Sequence, residues 1–529
     1  MKKGFKLKVI LAWTLIIVMC CSFVSFLNSN VVFAGSSSNK VLKITRALRV
    51  VSYTDVKNDL LNKKLRSKFG FEFEDIKIPS TDWVTKLTLL FAGGMAPDYI
   101  TALRPEFNLA EFISAGYLKG FTVDEIKKEW PNYLKIWTAE EWDEVYKLIR
   151  YSDGKVYSFH GRRPAKVDMA WCYRKELFDK YDLKFPLTPD EMYSTFKKLK
   201  DLTGLIPYIN ANQGDCLWAF GGFMVMYGMP ELAVRQISYV DPLTKKFIPF
   251  AFSQDNYRSM LILLNKLYKA GLIWKEFATA TREQLTKFQS LGQGIVLWGY
   301  PAQIPSYNNT YKNAAPNVNW TWSKDMPTAY PGKAYFFKRN PLYAADGLGF
   351  YSKIKPEKLK KLLAYLNWAL TKEGQIFHTY GEYGITYKKI GNEYEYLPHI
   401  QNPLNPSGTM SLGAFNLPSA PNGFMVAYPD AIKKYYPIYS EVEKAFMNRP
   451  KYYYIPDVAM QYTADENKKR AELEANLMTV VNEYAVRFIT DNLNPADNNT
   501  WSKYIRVLER MGLQELVKIR TNAYKRTNK

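Results

Sequence analysis

The chain has 529 residues, 47% hydrophobic and 23% charged, a soluble globular balance that excludes long disorder and a polytopic membrane protein. At a loose prior of roughly 150 residues per domain, the length suits two to four domains. The unusual figures are a formal charge of +22, only three histidines, and an aromatic fraction of 16% made of 13 Trp, 39 Tyr and 30 Phe.

At the N-terminus Lys2, Lys3, Lys6 and Lys8 precede an uncharged apolar stretch from Val9 to Leu27, followed by Val32-Phe33-Ala34. This reads as an export signal over residues 1–34 with cleavage after Ala34, or as an uncleaved anchor, since the stretch approaches the ~20 residues that span a bilayer. Met19 stands before Cys20, where a lipidated cysteine normally follows a small residue, so lipidation is disfavoured. Cleavage removes four lysines and no acid, and the body stays strongly basic. Its lysines are spread along the chain rather than gathered in one arm, which argues against nucleic acid and for anionic wall polymers or lipid headgroups. Cys172 and Cys216 would remain, allowing at most one disulfide; they read as buried thiols.

After a linker at 35–40, apolar β-type runs alternate with amphipathic helices, the texture of an α/β protein. Ser80 or Thr81 is placed as the cap of a helix carrying Trp83, Leu87, Leu90 and Phe91, stopped by Gly93-Gly94 before a strand at Asp98-Tyr99-Ile100. Thr188-Pro189-Asp190-Glu191 is a capping box with proline at the first helical position. Ser253 opens a helix that faces Tyr257, Met260, Leu264 and Leu267 inward and ends at Gly271. Pro356-Glu357 starts another, whose stripe Leu359, Leu362, Leu363, Leu366 runs to about Gly374. From 387 to 465 prolines break up any long element, and this loop-rich region reads as an elaboration bordering a binding cleft. Helix returns from Glu466, with Trp501, Tyr504, Ile505 and Leu508 spaced to pack before Gly512.

Catalytic signatures are missing. With His160, His378 and His399 as the only histidines there is no H-E-x-x-H helix, no zinc spacing is available, Gly292-Gln293-Gly294 lacks a dinucleotide fingerprint, and neither a Walker A loop nor a G-x-S-x-G elbow occurs. Paired carboxylates for glycoside hydrolysis are a three-dimensional feature that no pattern excludes. An exported, aromatic-rich α/β chain of this kind suggests binding, and sugars are the ligands that best use flat rings. Most of the aromatics are nonetheless expected in cores.

Four passages carry a family resemblance. Lys86 to Ile100, Gly154 to Ser158 with Trp171 to Asp179, Gly374-Gln375 with Tyr380 to Ile385, and Trp501 to Arg526 resemble, in order and texture, the extracellular solute-binding proteins of ABC importers, family 1, within its large Gram-positive oligosaccharide-binding branch. Relatives often carry a calcium loop after the capping-box helix, but Asp201 to Pro207 is too short for one, so neither metal nor cofactor is expected.

The resemblance implies a periplasmic-binding-protein-like type II fold, two α/β lobes with a hinge between them closing over a ligand. By analogy, 41–168 plus 299–345 form the N-terminal lobe and 169–298 plus 346–529 the C-terminal lobe. The chain would cross near Val167 to Tyr173, Val296 to Pro301 and Ala344 to Phe350. Residues there supply the candidate ligand contacts: Trp298 and Tyr300 as a stacking pair, then Trp171, Trp218 and Asp346, with Asp98 and Arg104 at the early strand end. The implied function is a monomeric, non-enzymatic, extracellular receptor that hands an oligosaccharide to an ABC transporter permease. An oligopeptide receptor and a secreted carbohydrate-active enzyme are the competing readings.

Overall fold

In Leu42–Val50 the inward positions are Ile44, Arg46 and Ala47, so this strand carries one charge into the core. The charge is met across the sheet: Arg46 and Asp75 are register partners, joined by two hydrogen bonds of 2.6 and 2.8 Å, and the guanidinium lies 4.3 Å from the centre of the Phe73 ring. The computed structural model describes residues 41–50, 55–80, 82–103, 109–163, 165–211, 216–231, 237–342, 347–405, 407–417, 428–447, 449–456, 458 and 460–528. The predicted export segment lies outside them.

Two sheets organise the chain. Their strands are β1 Leu42–Val50, β2 Phe71–Pro79, β3 Tyr99–Leu103, β4 Ala170–Arg174, β5 Val296–Gly299, β6 Trp320–Trp322 and β7 Gly347–Phe350. The first sheet has the order β7-β3-β1-β2, with β1 parallel to both β2 and β3 and β7 antiparallel to β3. The second has the order β5-β4-β6, antiparallel throughout. Each sheet has its own hydrophobic core. Ile44, Phe71, Tyr99, Phe159, Leu348, Leu362 and Leu366 pack around the first, whereas Trp171, Phe223, Leu264, Trp322, Phe336, Phe446, Leu477 and Tyr504 pack around the second.

These cores redraw the expected lobes. Residues 299–337 return to the second sheet through β6, not to the first lobe, and residues 347–417 join the first sheet and its core. The cause is strand pairing: β6 bonds to β4 and β7 bonds to β3, choices that apolar periodicity does not encode. Accordingly Val296–Pro301 is no crossing, since β5 and β6 both flank β4. The chain passes between sheets over 161–168, between 338 and 347, and again near Pro437, where a helix of the tyrosine-rich cluster at Tyr380, Tyr428 and Tyr435 gives way to the helix Ile438–Met447, which buries Val442 and Phe446 in the second core.

Local signals set most helix ends. Thr188 caps Pro189–Thr203 by accepting from Glu191 N, and Glu191 reaches back to Leu187 N rather than to Thr188 N as a full capping box would. Gly204 ends that helix at φ 70°, and Tyr208 already bonds Leu272 four residues later, so no calcium-type loop fits between. Asp82, not Ser80, is the N-cap of Trp83–Ala92; Ser80 Oγ bonds Val50 O instead. The helix expected from Ser253 begins at Asp255, and the stripe from Pro356 ends at Ala369, with a separate helix Lys372–Tyr380 after it. Inside the region 387–465 stand a hairpin, Tyr387–Ile390 with Glu393–Tyr396, and a strand Tyr452–Pro456 parallel to Ala334–Lys338.

Candidate functional site

The first two crossings run side by side. Arg339 N donates to Lys166 O at 2.9 Å, Arg163 N donates to Pro341 O at 2.7 Å, and Arg162 and Leu342 form an antiparallel bridge. Segments 162–168 and 339–342 therefore make a short ribbon between the two sheets. Ligand pockets form preferentially at such junctions between lobes.

The ribbon holds a buried cluster of charge. Arg339 donates from Nε to Asp168 Oδ1 at 2.6 Å and pairs through Nη2 with Glu231 Oε1 at 2.5 Å. Arg163 Nη1 reaches Asp168 Oδ2 at 3.2 Å, and its Nε bonds Leu342 O. Burial alone would pull the Arg339 guanidinium down; the Glu231 and Asp168 carboxylates outweigh it and hold the group above its ordinary value. Tyr300 leaves β5 half-buried beside this cluster, and its phenol is pushed up by burial, with Arg339 opposing. A second set of charges ties the first crossing to the helix Ala139–Ile149. Arg162 bonds Glu141 through two nitrogens at 2.9 and 3.0 Å, and Lys166 reaches the same carboxylate at 3.0 Å. Burial pushes Glu141 up, but these cations and the Thr138 N–H bring it down to about 2. Glu443, on the helix after Pro437, is held up by burial, with Lys166 opposing.

Trp298, the expected stacking partner of Tyr300, has a different role. Trp171 and Trp298 are cross-strand partners with rings 5.7 Å apart at 70°, and they are only 1% and 4% exposed. The helix Gly221–Met226 lies directly on them: a Cβ at Gly222 would stand 2.7 Å from both indoles, and one at Gly221 would stand 2.8 Å from Glu231 O. The glycine pair lets a helix lie flat on two indoles and brings Glu231 to the ribbon. Neither indole offers an open face, because the fold uses both as core. Trp218, in the 3-10 turn Cys216–Phe220, keeps part of its surface exposed.

Asp98 stands at the start of β3, not at its cleft end. Its Oδ2 accepts from Thr45 N, Thr45 Oγ1 and Lys358 Nζ at 2.9, 2.9 and 2.7 Å, stapling β1, β3 and the helix Pro356–Ala369 together. Arg104 and Asp346 lie outside the described residues; their neighbours Leu103 and Gly347 are paired across β3 and β7. Beside that pair, Ser158 Oγ donates to Leu103 O at 2.9 Å and stands 3.1 Å from His160 Nε2. Of the expected residues, the structure gathers Tyr300, Trp298 and Trp171 at one place, with Asp98 elsewhere. Arg163, Asp168, Glu231 and Arg339 were not anticipated. Their available signal was Arg162-Arg163 and Asp168 just before Met169-Ala170-Trp171, charges set against a buried strand. Among the described residues, no group of three or more His, Cys, Asp or Glu stands where it could hold a metal ion. Cys172 is a free, buried thiol.

Residues 61–401 match the family described as bacterial extracellular solute-binding protein, and the chain belongs to it. No curated protein matches the chain in sequence. Among solved structures, similar folds include the alginate-binding protein AlgQ2 without calcium ion (17% identity, 92% of this chain and 99% of that chain, TM-score 0.71). Others are an HMO-binding solute-binding protein of an ABC transporter from Bifidobacterium longum infantis (18%, 92% and 99%, 0.68) and the substrate-binding protein FusA of S. pneumoniae with kestose (19%, 92% and 99%, 0.65). The two-lobed α/β fold is that of periplasmic-binding-protein-like solute-binding proteins. Among the described residues, no helix is long and apolar enough to cross a membrane.

Proposed function

We propose that the chain is the monomeric ligand-capturing subunit of an ABC importer, taking an oligosaccharide between its lobes at the cell exterior and delivering it to a membrane permease. The observation that carries this reading is the crossing ribbon, where Tyr300, Asp168 and Arg339 bring an aromatic ring, a carboxylate and a guanidinium to one place between the two cores. Rings and planar polar groups are what a pyranose needs, C–H faces against the one and hydroxyls against the other. Solved relatives that bind alginate, HMO and kestose support the ligand class. Tyr300 and the partly exposed Trp218 are the proposed ring contacts, with Asp168 as a hydroxyl acceptor.

Catalysis by the ribbon carboxylates Asp168 and Glu231 is disfavoured by the same geometry. Asp168 and Glu231 are both bonded to Arg339, whereas a glycosidase acid needs a carboxyl kept protonated by an apolar pocket. The N-terminal segment either leaves a secreted chain after cleavage or holds it at the membrane beside its permease. Thermal-shift screening against oligosaccharides from plant polysaccharides, with product analysis of each mixture, tests the reading. Stabilisation without cleavage is expected; turnover abolished by a single Asp or Glu substitution would replace the receptor with an enzyme.

A further inference from the structure

The two lobes also meet outside the ribbon. The helix Leu109–Ser114 belongs to the first lobe, where the Phe112 ring packs 4.9 Å from that of Phe91. The helix Ala464–Ile489 belongs to the second, burying Leu473, Leu477 and Val481 in its core. Cα atoms of these two helices come within 8 Å of each other. Tyr151 stands in a first-lobe turn, its N–H donating to Lys155 O at 2.8 Å. Its hydroxyl is buried and makes no hydrogen bond of ordinary geometry among the described residues, yet the Asn467 side chain lies beside it, and Glu111 of the helix Leu109–Ser114 is close enough to act on its charge. We propose that Tyr151 and Asn467 form a latch between the lobes, a contact that exists only while the cleft is shut and that favours the shut form of the ligand-free chain.

Each partner is held by its own lobe. The Tyr151 ring lies 6.0 Å from that of Tyr157, and Val156, just after the turn, bridges to Phe121 in the first core. Asn467 Oδ1 accepts from Arg470 Nη2 at 3.2 Å, Arg470 Nη1 donates to Glu474 at 2.7 Å, and Glu474 accepts from Arg520, which also reaches Ser238. With Oδ1 turned to Arg470, the amide N–H groups of Asn467 are the donors left for a phenol oxygen. Neither side chain can follow the other when the lobes separate, so opening breaks this pair. The ribbon bonds Arg339 N to Lys166 O and Arg163 N to Pro341 O lie within the crossing itself and can survive it. A contact present in one form alone shifts the balance toward that form. Opening gives both groups to water, so the net weight is that of one exchanged hydrogen bond, about two- to tenfold in the ratio of shut to open chains. A ligand that needs the shut form gains at most the same factor in apparent affinity.

Electron spin distance measurement on the full chain tests the latch. Lys127 and Lys197 carry exposed side chains on helices that pack into the first and second cores through Ile126 and Phe196. Labels are placed on Lys127→Cys and Lys197→Cys in a chain whose Cys20, Cys21 and Cys216 are replaced by serine, the buried Cys172 being left in place. Without ligand, a shorter and a longer distance are expected. The ratio of shorter to longer should fall about two- to tenfold in Asn467→Ala and in Tyr151→Phe alike. The double variant should lose no more than the larger single loss, because both substitutions remove the same contact. A ligand-free chain that shows only the longer distance overturns the latch. So does a ratio that neither substitution moves, and so do losses that add in the double variant. Tyr151→Phe keeps the ring, so the test stands even if Asn467→Ala does not fold. No sugar is added, and the result is therefore independent of the oligosaccharide reading.

Discussion

Trp298 separates two roles that a sequence presents as one. A ring on a cleft surface can be cut to alanine with loss of affinity and little loss of stability, but this indole sits against Trp171 and under Gly221 and Gly222 at 4% exposure. Trp298→Ala is therefore expected to cost about 3–5 kcal/mol of folding stability, read from the urea midpoint. A loss below about 1 kcal/mol would return Trp298 to the ligand surface. His378 allows a second residue-scale test. Burial pushes this imidazole down to about 3, Arg46 adding to the effect, and its Nδ1 has no hydrogen-bond partner among the described residues. The unfolded chain binds a proton at this residue below about 6.5 and the folded chain does not, so its contribution is complete above 6.5 and is lost as pH falls toward 3. From pH 7 to 5 the native chain should lose about 2 kcal/mol more than His378→Phe. Parallel urea titrations at the two pH values check this, and equal losses would mean that the folded His378 takes up the proton.

The helix Gly221–Met226 is an element whose position depends on absent atoms. Alanine in a helix gains about 1 kcal/mol over glycine by propensity, yet a Cβ at 222 would stand 2.7 Å from two buried indoles that cannot swing away. Overpacking should win, and Gly222→Ala is expected to destabilise by a net ~1–2 kcal/mol in urea unfolding. A gain in stability would mean that the helix lifts freely from β4 and β5. Elements of this kind mark how far the sequence could be read. Thr188, Gly204 and Gly271 announce their helix ends because caps and left-handed turns are local chemistry. The partner of a strand is not local: nothing in Gly347-Leu348-Gly349-Phe350 says that it pairs with β3, or in Trp320-Thr321-Trp322 that it pairs with β4. The candidate site divides the same way. Tyr300 was legible as an aromatic leaving a strand, while Glu231 and Arg339 meet only because a glycine helix and a returning crossing bring them together.

At the scale of the molecule, each lobe is assembled from segments far apart in the chain, and the last of them is no appendage. After Pro437 the chain supplies Val442, Phe446, Leu477, Val481, Phe488 and Tyr504 to the core around β4, β5 and β6. Tyr504 bonds Phe252 O at 2.9 Å, and Arg520 bonds Glu474 and Ser238 from within the second lobe. Each such aromatic or aliphatic side chain contributes about 1.5–3 kcal/mol by burial, so their sum is of the order of a domain's whole stability. The core on the far side of the first sheet includes none of these side chains, since it closes on Leu348, Leu362, Leu366 and Phe415. Ending the chain after Pro437 should therefore unfold one lobe and spare the other. Hydrogen exchange on the shortened chain is expected to retain protection in β1, β2 and β3 and to lose it in β4, β5 and β6. Loss of protection in both sheets together would mean that the ribbon of 162–168 and 339–342 couples the two cores into a single cooperative unit, and that opening of the cleft works against that coupling.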